Sequence, residues 1–275
     1  FLPVPDPIAF RVFGLEIRWY AILIVTGMII AVAMLYKRAD FYGVGPADKV
    51  VDLALWVLPL GVIGARIYYV VFAWDYYKDN LLSIFNLRQG GLAIYGGVIA
   101  AFITVYVVCR TKKENFLEVF DSIALGFPVG QAIGRWGNFF NREAFGGWSE
   151  NVLAMRLPIE DVRQSDISLC LTSAGIAGHI EEGMNYIDVH PTFLYECIWN
   201  ICLLTILYLY RKHKRFSGEI FFLYLFGYGL GRIWIESLRT DQLIAPVLGI
   251  PVSQIVALTC ILVSAGVIIY KRIAD

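Results

Sequence analysis

Gly134-Arg135-Trp136-Gly137-Asn138-Phe139-Phe140-Asn141-Arg142-Glu143-Ala144-Phe145-Gly146 follows directly on an apolar segment, about 117–134. An apolar segment of that length suits a helix crossing a hydrocarbon core roughly 30 Å thick. The polar stretch packs two arginines, two asparagines and a glutamate between glycines and aromatics. Together the two halves put guanidinium forks, amides and a carboxylate beside a membrane-length helix. The reading decides the fold class because apolar runs with charged ends recur along the whole chain.

Of the 275 residues, 58% are hydrophobic and 17% charged, against roughly a quarter charged in ordinary soluble domains. Mean hydropathy is +0.64. Seven candidate spans emerge, at about 18–36, 50–73, 91–109, 117–134, 192–210, 217–237 and 247–270. The expected fold is therefore all-α: a polytopic membrane protein with seven transmembrane helices in a single membrane-embedded domain, 1–275.

Basic residues orient the spans. Lys37-Arg38 and Lys49 follow the first, Arg110 with Lys112 and Lys113 the third, Arg211-Lys212-His213-Lys214-Arg215 the fifth and Lys271-Arg272 the seventh. Positively charged short loops stay in the cytoplasm, so the N-terminus is expected outside and the C-terminus inside. Residues 135–191 then form a small extracytoplasmic cap, rich in Asp and Glu between Glu160 and Glu182. Residues 74–90 offer Trp74, Tyr76, Tyr77, Phe85 and Leu87 to the membrane interface. Residues 1–17 lack a basic region followed by an apolar core, so the first span is expected to do the targeting.

Other features exclude function classes. The net charge is zero, which provides no bulk field for nucleic acid. Five cysteines in odd number, without a CxxC spacing, argue against a disulfide framework or a zinc site. Cys109, Cys197, Cys202 and Cys260 fall in apolar segments and read as small packing residues, while Cys170 lies in a polar stretch. No Gly-rich nucleotide loop, metal-ligand cluster or nucleophile elbow is visible, and no cofactor is expected. Gly126, Gly130 and Gly134 recur every four residues, a face suited to close helix packing in membranes or, as the second reading, to leaving room for a lipid chain.

A charge inside a span costs at least about 2.5–3.5 kcal/mol, so each needs a reason. Arg66 sits toward the outer end of the second span, and Glu196 just inside the start of the fifth. Arg232 and Glu236 stand four apart on the sixth, and Arg239 continues their face. With the N-terminus outside, Tyr20, Arg66, Tyr95, Arg135, Asn138, Glu143, Glu196, Arg232, Glu236 and Arg239 gather at outer-leaflet depth. Asp52, Glu118 and Asp121 lie at cytoplasmic ends and are expected to be solvated. A purely structural ion-pair network is one reading of Arg232 with Glu236, a role in the site the other. The arginines exceed what such a network needs, which leaves planar forks to hold the phosphate of a lipid head group.

These residues resemble a known family. The Gly134–Gly146 stretch is similar to the signature of bacterial prolipoprotein diacylglyceryl transferases. Arg18-Trp19-Tyr20, Gly64-Ala65-Arg66-Ile67-Tyr68, Gly90–Gly97, His190–Glu196 and Gly231-Arg232-Ile233-Trp234-Ile235-Glu236 extend the similarity nearly end to end. The resemblance implies an enzyme of the bacterial cytoplasmic membrane. It would transfer diacylglyceryl from phosphatidylglycerol to the lipobox cysteine thiol of a preprolipoprotein, releasing glycerol 1-phosphate. Membrane lipids and the lipobox peptide would be its partners. Arg135 would correspond to the lipid-binding arginine, Arg232 to the second essential arginine, and Tyr20, Asn138, Glu143 and Gly146 to further functional positions. Arg66, Arg239 and Glu196 join as expected substrate contacts. Glu143 or Glu236 would accept the thiol proton or orient an arginine. Where many members carry histidine before two glycines this chain has Tyr95, whose ordinary pKa near 10 suits it to positioning a head group better than to taking a proton.

The rival reading is a lipid transporter or flippase, since embedded charges also line transport paths. Such proteins often show inverted repeats and broken helices meeting near the midplane. Here no repeat is evident and the charges gather at one side.

Overall fold

The computed structural model describes residues 2–3, 6–37, 47–87, 90–162, 185–246 and 248–274. Within them run seven long helices: α1 Trp19–Lys37, α2 Ala47–Phe72, α3 Ile94–Lys112, α4 Phe116–Asn141, α5 Thr192–Tyr210, α6 Glu219–Leu238 and α7 Val252–Ala274. Six of them, all but α6, are long and apolar enough to cross a membrane. α6 is 20 residues long, but Glu219, Arg232 and Glu236 lie within it. The protein is thus a mostly helical polytopic membrane protein. Six spans meet the measure of length and apolarity where sequence led us to expect seven.

One boundary changes the picture of the opening stretch. α4 does not end at Gly134; it runs seven residues further, to Asn141. Arg135 and Asn138 are therefore on the last turns of a helix, where a loop was expected, with a spacing that puts them on one face. The chain then turns through Arg142 and Ala144, both with φ of +57°.

Two small sheets were not foreseen. β2 (Ile8–Val12) and β3 (Leu15–Arg18) form a hairpin that leads directly into α1. β1 (Leu2–Pro3) pairs parallel with β4 (Met155–Pro158), which pairs antiparallel with β5 (Tyr186–Val189). β4 and β5 alternate as half-buried strands do: Met155, Leu157, Ile187 and Val189 turn inward. On the other face Arg156 grips Asp188 with two bonds of 2.9 Å. The inward face joins Phe139 of α4, Phe145 and Phe193 of α5 in one buried apolar cluster, which ties the sheet to both helices. The acidic stretch expected between Glu160 and Glu182 lies mostly outside the described residues, as do Arg38 and Cys170.

The chain divides into two compact units, residues 32–122 and residues 1–31 with 123–275. In the first, α2 and α3 pack backbone to backbone. A Cβ on Gly64 would collide with Ala100 and Gly96, and one on Gly96 with Tyr68 and Gly64. Lys49 meets Glu114 at 2.6 Å and Lys112 meets Asp52 at 2.7 Å at one end of this pair. Asp121, expected in water, is buried, 4% exposed. Large apolar side chains of these helices face outward, Leu55 at 66% and Ile94 at 75% exposure. That is the arrangement of a protein whose solvent is lipid, where close packing of small residues holds helices together.

In the second unit, small residues again set the approach. A Cβ on Gly27 of α1 would lie 3.2 Å from the Gly130 carbonyl of α4, and one on Gly134 would lie 3.2 Å from Ile24. Gly130 and Gly134 thus serve the helix packing expected of them. Gly227 and Gly231 of α6 leave room for Leu203 and Trp199 of α5, and the Trp199 indole donates to the Gly227 carbonyl at 2.9 Å. Gly229 admits Ala257 and Ile261 of α7. Of the cysteines, Cys109 and Cys197 are buried as packing residues.

Candidate active site

The end of α4, the start of α5 and the end of α6 converge in the second unit on a chain of alternating charges. At its centre is Glu196, 6% exposed. Its Oε2 meets Arg135 Nη2 of α4 at 2.7 Å, and its Oε1 meets Arg232 Nη1 of α6 at 2.9 Å. Arg232 also reaches Glu236, one turn on, at 2.6 Å. Glu236 in turn faces Arg239 at 3.8 Å. Arg239 closes the chain on Asp241 with a two-pronged pair at 2.9 and 2.8 Å.

The other arm belongs to the opening motif. Arg135 Nη1 donates to Asn138 Oδ1 at 3.2 Å, and Asn138 Nδ2 donates to Glu143 Oε1 at 2.9 Å. Asn141 reaches the same oxygen at 3.5 Å. Glu143 can double back because Arg142 adopts the left-handed conformation, and its N–H bonds the Asn138 carbonyl at 3.1 Å. Tyr20 of α1 stands over Gly137: a Cβ there would meet its ring at 2.9 Å. Glycine at 137 is what lets the tyrosine lie against α4.

Backbone contacts lock these parts in register. Gly146 N–H donates to the His190 carbonyl at 3.0 Å, and Gly147 N–H to the Leu238 carbonyl at 3.1 Å. Gly146 pairs as an isolated bridge with Arg239, and Thr192 Oγ1 bonds the Ala144 carbonyl. The motif's tail thus ties the start of α5 to the end of α6. Beside it, His190 Nδ1 lies 3.1 Å from the Tyr195 hydroxyl, and burial pushes the imidazole below its ordinary range, which keeps it neutral at pH 7.

Three arginines (Arg135, Arg232, Arg239) meet three carboxylates (Glu196, Glu236, Asp241) in this chain. The arginine excess expected from sequence is therefore absent from it. Asp241 is the partner that sequence reading passed over, although its place two residues after Arg239 was a visible signal. Burial pushes its carboxyl up, but the hydrogen bonds and charge of Arg239 outweigh that and hold it below the usual carboxylate range. The sign follows: a lowered folded-state pKa contributes stability above the unfolded value, about 3.9, that is lost as pH falls through the folded one. Asp241→Asn is expected to lower the melting temperature by a constant amount from pH 8 to pH 5. The difference from wild type should shrink only below about pH 4; thermal melts in detergent across that range check it.

Arg66 and Tyr95 belong to the other unit. Tyr95 is half-buried in the first turn of α3. From sequence Arg66 is expected to offer a fork to phosphate. In the structure its three guanidinium nitrogens donate to the carbonyls of Ser83, Ile84, Asn86, Gly90 and Gly91 at 2.7–3.2 Å, and Tyr77 lies 5.1 Å from it as a cation–π partner. It pins the α2–α3 connection. Arg66→Ala strands those carbonyls and is expected to destabilise the connection by about 3 kcal/mol. Hydrogen exchange in residues 83–91 should quicken, and unchanged protection there would refute the pin.

The sequence profile of the family described as prolipoprotein diacylglyceryl transferase matches residues 7–270. A phosphatidylglycerol–prolipoprotein diacylglyceryl transferase of Clostridium novyi (strain NT) is 44% identical over 273 residues, covering 98% of this chain and 97% of the relative. Proteins of the same name from Lysinibacillus sphaericus (strain C3-41) and Finegoldia magna are 43% and 40% identical. Those alignments cover 98% and 97% of this chain, and 93% and 96% of the relatives.

Proposed function

The chain belongs to the prolipoprotein diacylglyceryl transferase family, and on that premise we propose how its site performs the transfer. It is a transferase that moves the diacylglyceryl group of phosphatidylglycerol to a prolipoprotein, the first step of lipoprotein maturation. The acceptor is the lipobox cysteine thiol and the second product is glycerol 1-phosphate.

One observation carries the mechanism: a single carboxylate, Glu196, already sits as an anion between the forks of Arg135 and Arg232. A guanidinium matches phosphate oxygens as it matches a carboxylate, so the same pair suits the lipid's phosphodiester. Sulfur attacks the glyceryl carbon and the bond to the phosphate oxygen breaks. Negative charge grows on that oxygen, and fixed cations aimed at it supply the electrostatic term that usually counts most. Arg135 and Arg232 hold the phosphate. Asn138 and Glu143 orient Arg135, Glu236 and Arg239 orient Arg232, Tyr20 lines the entrance along α4, and Gly146 keeps the α5 and α6 ends in register. Arg66 pins a loop of its own unit, and Tyr95 opens α3 there.

The orientation goes with this reading. α6 acts as the seventh span, its charges tolerated because they pair with one another. The N-terminus lies outside and the C-terminus in the cytoplasm. Strands β4 and β5, within residues 135–191 and joined by β1, cap the outer ends of α4 and α5, and the site opens to the outer leaflet of the bacterial cytoplasmic membrane. No observation here favours the transport alternative.

The test is an assay with purified protein, phosphatidylglycerol labelled in its acyl chains and a lipobox peptide. Label is expected on the peptide cysteine, with glycerol 1-phosphate released in equal amount. Lipid movement across vesicles without labelled peptide would overturn the reading.

A further inference from the structure

Among the described residues Glu196 alone bonds both arginines of the site, and it occupies the slot that the substrate's phosphate needs. The ion pairs set three arginines against three carboxylates, and a fourth carboxylate, Glu143, joins Arg135 through Asn138. A phosphodiester entering between Arg135 and Arg232 adds one negative charge beside side chains that are nearly closed off, Glu196 at 8% and Arg232 at 13% exposure. An extra unpaired charge there is costly, and the thiol proton, passed to Glu196 during the transfer, cancels it.

We propose that Glu196 is the proton acceptor of the transfer, switched into that role when the substrate's phosphodiester displaces it from the two guanidiniums; this rests on the transferase reading above. A second observation points the same way. Asn200, one turn further along the same face of α5, is 4% exposed. Its Nδ2 donates to the Glu196 backbone carbonyl at 2.8 Å, while its buried Oδ1 has no partner among the described residues. That oxygen is an acceptor left open one helical turn from Glu196, on the element that carries the carboxyl. Among the described residues the charged groups around Glu196 are Arg135 from α4, Arg232 from α6 with Glu236 on its far edge, and Arg239 just past α6, with Asn200 on its own helix.

The step balances. The thiol proton passes to the Glu196 carboxylate as sulfur bonds the glyceryl carbon. The carbon–oxygen bond to phosphate breaks, and its electron pair stays on the phosphate oxygen. A diester monoanion and a carboxylate become a phosphate dianion and a carboxylic acid, so the charge facing Arg135 and Arg232 is the same before and after. Glycerol 1-phosphate then leaves, and Glu196 gives its proton to water as it returns to the arginines.

Two measurements test this. In the first, wild-type protein is titrated with glycerophosphoglycerol, the deacylated head group, whose diester does not titrate near neutrality. Calorimetry at pH 8 in buffers of different ionisation enthalpy is expected to show less than about half a proton taken up per head group bound, because Glu196 has to stay ionised to accept the thiol proton. Uptake of a whole proton overturns the proposal. In the second, Glu196→Gln is expected to bind the head group as well as wild type or better. Its transfer at pH 7 should fall roughly 100-fold or more. Raising the pH past about 8.5, where the peptide thiol ionises by itself, should recover much of the loss. Transfer near the wild-type level, or a folded variant that has lost head-group binding as well, overturns it. Should Glu196→Gln fail to fold, the wild-type proton count decides alone. Absence of wild-type transfer would instead sink the transferase reading, and this inference with it.

Discussion

Arg135→Ala is expected to lower kcat for diacylglyceryl transfer by about 1000-fold while the protein still inserts, purifies and melts cooperatively. Losing one well-placed donor to a developing oxyanion typically costs 10²–10³-fold, and Arg135 brings a full charge as well as a fork. The fold survives because Glu196 keeps its 2.9 Å bond to Arg232 when Arg135 goes, and Asn138 keeps Glu143. Arg135 itself is only partly enclosed, with 21% of its side chain exposed. Arg135→Lys separates charge from geometry. It restores the cation without the planar fork, so an intermediate rate is expected. Kinetics with labelled lipid and a lipobox peptide, beside a thermal melt, decide the matter. Retained transfer by Arg135→Ala would remove the phosphate role.

Gly146→Val is the second large effect, and it acts at a distance from the charges. A Cβ at 146 would lie 2.7 Å from the His190 Cβ and 2.8 Å from the Leu238 carbonyl, closer than such atoms approach. The motif's tail must then move off the start of α5 or the end of α6, the two places that present Glu196 and the Arg232–Glu236–Arg239 series. A displacement of about 1 Å in a reacting constellation costs on the order of 100-fold in rate, and that is the expected loss. Gly266→Ala is the matched control. It sits in α7 with no atom within 4 Å of the added carbon, so alanine is expected to leave transfer unchanged and stabilise the helix by up to about 1 kcal/mol. Wild-type transfer by Gly146→Val would mean that Gly146 is no hinge of the site.

The two variants probe different levels of the same design. Arg135 supplies chemistry that side-chain type alone suggests. Gly146 supplies register, which depends on what the backbone meets after folding. Arg66 shows why that difference matters. By residue type it belonged with Arg135, yet its guanidinium is consumed by five backbone carbonyls of its own unit. A buried arginine serves as readily to satisfy backbone groups of a turn as to hold an anion, and only its neighbours tell which.

The chain by itself determined the membrane class and the positions of the helices, because lipid admits long apolar helices with little ambiguity of pattern. It also determined which polar groups would be exceptional. Glu196, Arg232 and Glu236 stood out because a charge in a span needs a reason, and Arg135 because it opens the polar stretch that follows a span. Local sequence could not carry the continuation of α4 through Arg135–Asn141, where glycine, asparagine and arginine are weak or ambiguous helix signals and packing on α1 and the sheet's apolar cluster settles the outcome. Nor could it carry the pairings. That Glu196 bridges Arg135 and Arg232, 61 and 36 residues away (196 − 135 and 232 − 196), follows from three helix ends meeting in space. With it go the alternation of charge, the place of Asp241 and the unmet oxygen of Asn200, all of which exist only once distant parts of the chain are brought together.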